Sequence, residues 1–266
     1  SRDRGIDLSG TKWFDDAAAM ARDAEADVVV ELIGGADGAA LELCKSAIGS
    51  GRHIVTANKA LIAHHGLALA EEAERSGVSL AYEAAVAGGI PVIKALREGL
   101  AGNDINGLYG ILNGTCNYIL SEMRETGREF DDVLADAQRL GYAEADPSFD
   151  VDGVDAAHKL AILTSVAFGC RVNFGDIAVE GIRHISALDI RFANELGYRI
   201  KLLGITRRTG AGVEQRGHPC MVKLDSPIAH VEGVFNAVVA QGDFVGSTVY
   251  EGRGAGEGPT ASAVAA

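Results

Sequence analysis

The chain has 266 residues, 47% of them hydrophobic, ample for the core of one large domain or two smaller ones. Its 37 Asp and Glu outnumber 24 Lys and Arg, for a formal charge of −13 at pH 7. That balance argues against nonspecific nucleic-acid binding and against an anionic membrane surface, and no apolar run is long enough to cross a bilayer. Four cysteines (Cys44, Cys116, Cys170, Cys220) stand far apart with no CxxC pair, so reduced thiols in a cytoplasmic protein are expected rather than a zinc site.

Residues 15–25 have helical composition, and DVVVELIGG at 27–35 reads as a buried strand ending in a Gly34–Gly35 turn. A helix over 38–49, a strand over 52–56, a helix over 59–75 and a strand over 78–83 follow. This alternation predicts a parallel sheet with right-handed crossovers, in which ligands gather at the carboxyl ends of the strands. The Gly34–Gly35 and Thr56–Lys59 turns both fall at that edge. From about residue 84 the texture changes to a Gly–Gly loop, a helix with Pro91 near its first turn, and a strand over 105–114. Helices over 115–127, 130–141, 154–169 and 186–196 come next. A hairpin from 198 to 224 and two strands between 231 and 252 complete an α+β domain with a mostly antiparallel sheet. The expected fold class is α/β, a parallel unit followed by that second domain.

The segment from Gly141 to Lys159 carries the strongest chemical signal. Five carboxylates (Glu144, Asp146, Asp150, Asp152, Asp155) crowd a turn-rich stretch that runs into an almost wholly apolar helix. A helix apolar on nearly every side is usually buried, so Lys159 needs a partner, and Asp155 lies at i−4 on the same face. A lysine held beside carboxylates in a half-buried site is a candidate proton donor. The plain alternative, a solvated loop with an exposed ion pair, would contribute only ~0.3–0.5 kcal/mol, and the apolar helix argues against it. Lys59 opens a helix, where a cation opposes the macrodipole at about 0.3–1 kcal/mol. Its place at the ligand-binding edge favours an anionic partner over a snorkelling surface lysine. Asn58 reads equally well as a helix cap, and Thr115 as the N-cap of the helix that follows it. The seven histidines show no metal spacing, and GRGAGEG near residue 254 resembles a phosphate loop only superficially.

Taken in order, VVVELIGG, VTANKALIA, EAAVAGGIPVI, GILNGTCNYIL, GYAEADPSFDVDGVDAAHKLAIL and GRGAGEGPTASAV resemble homoserine dehydrogenases of the bacterial type. The resemblance implies a partial Rossmann-type dinucleotide-binding domain over 1–83, a catalytic and dimerisation domain over 84–245, and a segment over 246–266 that returns to the first domain. It implies NADP or NAD as cofactor, a small amino-acid substrate and a homodimer or higher homo-oligomer. Lys159 becomes the proton donor and acceptor, positioned by Asp155. Glu144 and Asp150 would hold the substrate ammonium, with Tyr142, Gly114, Thr115 and Lys59 around the substrate. Gly34, Gly35, Lys59 and Gly256 would face the cofactor. A sodium ion would take oxygens from Glu83, Val86, Gly88 and Ile90, the last three through main-chain carbonyls. The family's opening strand, GxGxxG turn and helix are not found, so at least one βαβ unit of ~30 residues is expected to be missing, with weakened cofactor binding. Arg2 and Arg4 are then either contacts to a 2′-phosphate or a solvated tail. Two other readings stand beside this one: a catalytically silent oligomerisation fragment, and another amino-acid dehydrogenase of similar plan.

Overall fold

The computed structural model describes Gly5 and residues 7–266, so Arg2 and Arg4 lie outside the described residues. The first layer alternates helix and strand: α1 (Ala17–Asp23), β1 (Val28–Glu31), α2 (Ala39–Gly49), β2 (His53–Thr56), α3 (Lys59–Ser76) and β3 (Leu80–Ala81). The three strands form a parallel sheet in the order β1-β2-β3. Leu43, Cys44, Ala47 and Ile48 of α2 and Leu61 and Leu69 of α3 are buried around Val29 and Ile54. The first strand ends four residues before the expected limit because the Glu31 carboxylate takes the N–H groups of Ile33 (2.7 Å) and Gly34 (3.2 Å). Those donors are diverted from any ladder. The last strand is likewise shorter than the 78–83 expected, since a 3₁₀ turn over Glu83–Ala85 follows almost at once.

Beyond it, Pro91 stands at the N-cap position of α4 (Val92–Lys94), which continues as a π-helical turn over Ala95–Gly99. Then come β4 (Ile105–Ile111), α5 (Gly114–Thr126), α6 (Phe130–Arg139), α7 (Ser148–Val151), α8 (Val154–Phe168), β5 (Ala178–Val179) and α9 (Ala187–Glu195). The chain closes with β6 (Tyr198–Thr209), β7 (Gly212–Lys223), β8 (Phe235–Gly242), β9 (Gly246–Arg253) and α10 (Glu257–Ala265). These strands build a six-stranded sheet in the order β5-β7-β6-β4-β8-β9, antiparallel except for the short β5–β7 pair. The expected fold class is thus the observed one.

One face of the large sheet packs on α5 and α8. Leu108, Leu202, Val238 and Ala240 meet Ile119, Leu120, Leu160 and Leu163 there. Ten consecutive residues of α8, Asp155 to Thr164, are buried, as its sequence demands. That burial follows from its place between the large sheet and α3 of the first layer. The opposite face carries Ile111, Leu203, Ala237 and Val239, covered by a 3₁₀ turn over Pro227–His230. The four cysteines are free thiols, with Cys44 and Cys116 buried. Among the described residues no helix is long and apolar enough to cross a membrane.

Candidate active site

The carboxyl end of β4 and the start of α5 meet the acidic segment at one point, the side chain of Asn113. Its Oδ1 caps α5 by accepting from the Cys116 N–H (2.8 Å), while its Nδ2 donates to Asp150 Oδ1 (2.7 Å) and Asp155 Oδ2 (2.8 Å). The cap of this helix is therefore Asn113 and not Thr115, which lies inside the first turn. The hydroxyl of Thr115 instead donates to the Tyr142 carbonyl (2.8 Å), tying α5 to the loop before α7. Tyr142 is steadied further by an edge contact with Tyr118.

Asp155 is the hub. One carboxylate oxygen accepts from Lys159 Nζ (2.8 Å), and the other pairs with Lys59 Nζ (3.0 Å) from the first layer. Lys159 also donates to the Leu112 carbonyl (2.8 Å), so an ammonium that is 8% exposed has two acceptors. Burial works against a charge on Asp155, but Lys159, Lys59 and Asn113 together outweigh it and hold the carboxyl well below the usual range. Asp150 moves the other way: burial raises its carboxyl, and the Asn113 hydrogen bond offsets only part of that. Among the described residues it has no cationic partner.

A cavity of about 460 Å³ opens over these groups, lined by Lys59, Gly114, Thr115, Tyr142, Asp150, Asp155, Lys159 and Gly256 among others. A second, of about 580 Å³ and mainly apolar, is lined by Leu32, Gly34, Ala57, Asn58, Gly256, Glu257, Thr260, Ala261 and Val264. Gly256 belongs to both. Asn58 braces the second cavity, capping α3 through the Leu61 N–H (3.0 Å) and donating to the Gly35 carbonyl (2.7 Å).

Comparison with known proteins fixes the lineage. The family model for the homoserine dehydrogenase NAD-binding domain matches residues 1–83, and the homoserine dehydrogenase model matches 91–266. The chain belongs to the homoserine dehydrogenase family. It is 58% identical to homoserine dehydrogenase of Pseudomonas aeruginosa over 260 residues, covering 98% of this chain and 60% of that protein. The solved homoserine dehydrogenase of Thiobacillus denitrificans is 54% identical, with a TM-score of 0.93 over 97% of this chain and 59% of that one. A hyperthermophilic archaeal homoserine dehydrogenase solved in complex with NADPH is 29% identical, with a TM-score of 0.83 over 95% of this chain and 73% of that one. The chain thus spans about 60% of the length of these curated relatives.

Against that lineage, the structure brings Lys159, Asp155, Asp150, Tyr142, Gly114, Thr115 and Lys59 to one cavity. Gly34 and Gly256 line the second, and the Gly35 carbonyl is held by Asn58 beside it. Glu144 is exposed and outside the lining; its main-chain carbonyl accepts from the Gln138 side chain (3.0 Å). Glu83 caps the start of α4, its carboxylate accepting from Ile93 (2.9 Å) and Lys94 (2.8 Å). Sequence reasoning missed Asn113, Asn236 and Arg253, all on the lining. The first was findable as an Asn at a strand–helix junction; the other two approach only through the pairing of β8 with β9.

Proposed function

We propose that the protein carrying this chain interconverts L-homoserine and L-aspartate 4-semialdehyde with NAD or NADP, on the way to threonine and methionine. The observation that carries this is the buried Lys159–Asp155 pair opening on a cavity that also holds Asp150. Asp150, half-buried and without an ion-pair partner among the described residues, is a ready partner for the α-ammonium of an amino-acid substrate. Lys159 Nζ is fixed at two acceptors and has one N–H left for the substrate oxygen, to which it passes a proton during reduction and from which it takes one during oxidation. Asp155 positions that ammonium, and Lys59 completes the pair from the other layer. Glu144 belongs to the same proposal as a second ligand of the ammonium, from the exposed loop that also carries Tyr142.

When bound, a nicotinamide cofactor would supply or accept the hydride. The second cavity suits one: it is apolar enough for a flat ring, lined by Gly34 and Gly256, and shares Gly256 with the lysine site. The relative described with NADPH favours NADP of the two. We also infer a sodium site at Glu83, Val86, Gly88 and Ile90. The Val86 and Gly88 carbonyls accept no hydrogen bond among the described residues, whereas that of Ile90 accepts from the Val92 N–H (2.7 Å). Exchanging sodium for a bulky organic cation in the assay is its check. The uncovered part of the large sheet, where Tyr109, Ile205 and Val249 are only partly covered, supports a homodimer or higher homo-oligomer; sedimentation at assay concentration tests it.

The experiment for the activity is steady-state kinetics on the protein at its natural length. Lys159→Ala should lower kcat by about 10²–10⁴-fold in both directions while leaving cofactor affinity nearly unchanged. Normal turnover in the variant would remove Lys159 from this role.

A further inference from the structure

The substrate proposed above carries a carboxylate as well as an ammonium, and most charges on the cavity lining are already matched. Asp155 takes both Lys159 and Lys59. Asp150 is the carboxylate left for the substrate ammonium. The remaining charged group on the lining is Arg253, whose side chain makes no hydrogen bond and no ion pair among the described residues.

Its backbone, by contrast, is fixed from three directions. Arg253 is in register with Phe235 at the end of β9, and its carbonyl accepts from the Gly89 N–H (2.9 Å). The next residue, Gly254, is pressed against Asn236, where a built Cβ would stand 1.4 Å from Oδ1, so only glycine fits. A held backbone with an uncommitted guanidinium is what capture of a small anion needs: the origin of the side chain is set and its five donors are free. Arg253 borders the cavity of Lys159 and Asp150, not the apolar one that Gly34 lines. That placement assigns it to the amino-acid substrate rather than to a cofactor phosphate.

We propose that Arg253 binds the α-carboxylate of the amino-acid substrate and thereby selects α-amino acids over analogues that lack that charge. Asp150 and Arg253 then read the two ends of the zwitterion, leaving the far end of the substrate to Lys159. The inference rests on the reading of this site as a homoserine dehydrogenase.

The test compares L-homoserine with L-homoserine amide, in which the carboxylate is a neutral carboxamide, using the protein at its natural length. In Arg253→Gln, KM for homoserine should rise about 10- to 100-fold, the usual worth of a charge-assisted bidentate contact. KM for NADPH and the thermal midpoint should stay close to wild type. KM for the amide, already high in the wild type, should barely move, and Arg253→Lys should restore part of the loss for homoserine. An equal rise for both substrates, or a rise in KM for NADPH alone, overturns the proposal. If the wild type turns over homoserine normally and Arg253→Gln does so equally well, only Arg253 is refuted. If the wild type turns over neither substrate with either nicotinamide cofactor, the functional reading fails and Arg253 falls with it.

Discussion

Asp155 and Asp150 share the carboxamide of Asn113, yet their carboxyls are displaced in opposite directions. The difference is one of partners: two ammonium groups face Asp155, and burial goes largely uncompensated at Asp150. Linkage turns this into opposite effects on stability. Asp155, depressed below the ordinary 3.8, contributes stability above that value and loses it only as pH falls through its lower folded value. Asp150, raised above 3.8, favours the fold only in acid, and costs stability once pH passes its folded value. Asp150→Asn should therefore raise the thermal midpoint at pH 7, with the gain shrinking toward pH 4, while KM for homoserine climbs. Asp155→Asn should lower the midpoint, because it leaves the buried Lys159 without its counter-charge. Calorimetry of the two variants across that range checks both signs. A midpoint for Asp150→Asn several degrees below wild type would contradict this account.

At the scale of elements, periodicity and turn residues made most helices and long strands legible. The all-apolar run of α8 announced its own burial, and with it the Lys159–Asp155 pair. What could not be read were positions set by partners far along the chain. Asn113 reaches carboxylates 37 and 42 residues away. Lys201 shows this most clearly. In YRIKLLGI it reads as the polar member of an alternating strand, yet in β6 it is 1% exposed. Its Nζ donates to the Val231 carbonyl (2.6 Å) and to Asn117 Oδ1 (3.0 Å), with Glu232 Oε2 at 3.5 Å. Asn117 in turn donates to the carbonyls of Val231, Gly233 and Phe235, so α5 and β6 together grip the loop that brings Val234 to the cavity. Burial lowers the lysine from 10.5 to about 8, despite Glu232. The folded form thus prefers the neutral amine, and its stability relative to the unfolded chain should grow between pH 8 and 10.5. The stability of the wild type relative to Lys201→Met should accordingly rise when urea unfolding at pH 7.5 is repeated at pH 9.5. A gap independent of pH would mean that Lys201 is not titrating inside the fold.

For the molecule as a whole, the site exists only where two layers meet: Lys59 on α3 and Lys159 on α8 are joined through Asp155. The same pair of helices carries a second contact, His64 Nε2 to His158 Nε2 at 3.3 Å. The tautomers follow from chemistry. His158 Nδ1 lies 3.1 Å from the Val154 carbonyl, which can only accept, so Nδ1 bears the proton and Nε2 accepts from His64. A proton added to His158 would set two N–H groups face to face across the interface unless His64 moved its own proton to Nδ1. The ring has little room to turn away, stacked on Phe174 at 4.1 Å and flanked by Phe149. The surrounding charges divide: Lys59 opposes protonation of His158, and Asp155 favours it. His65, the neighbour of His64, is engaged with Asp37 (2.8 Å). Burial and then His64 lower His158 below 6.5. A histidine depressed in the fold contributes stability above its unfolded value and loses it as pH falls from there toward its folded value. The thermal midpoint should therefore drop on acidification below about pH 6.5. In His158→Phe, which keeps an aromatic ring against Phe174, that acid-side drop should be shallower. Parallel melting curves for wild type and His158→Phe from pH 5 to 7.5 would show that the histidine pair does not link the two layers to pH.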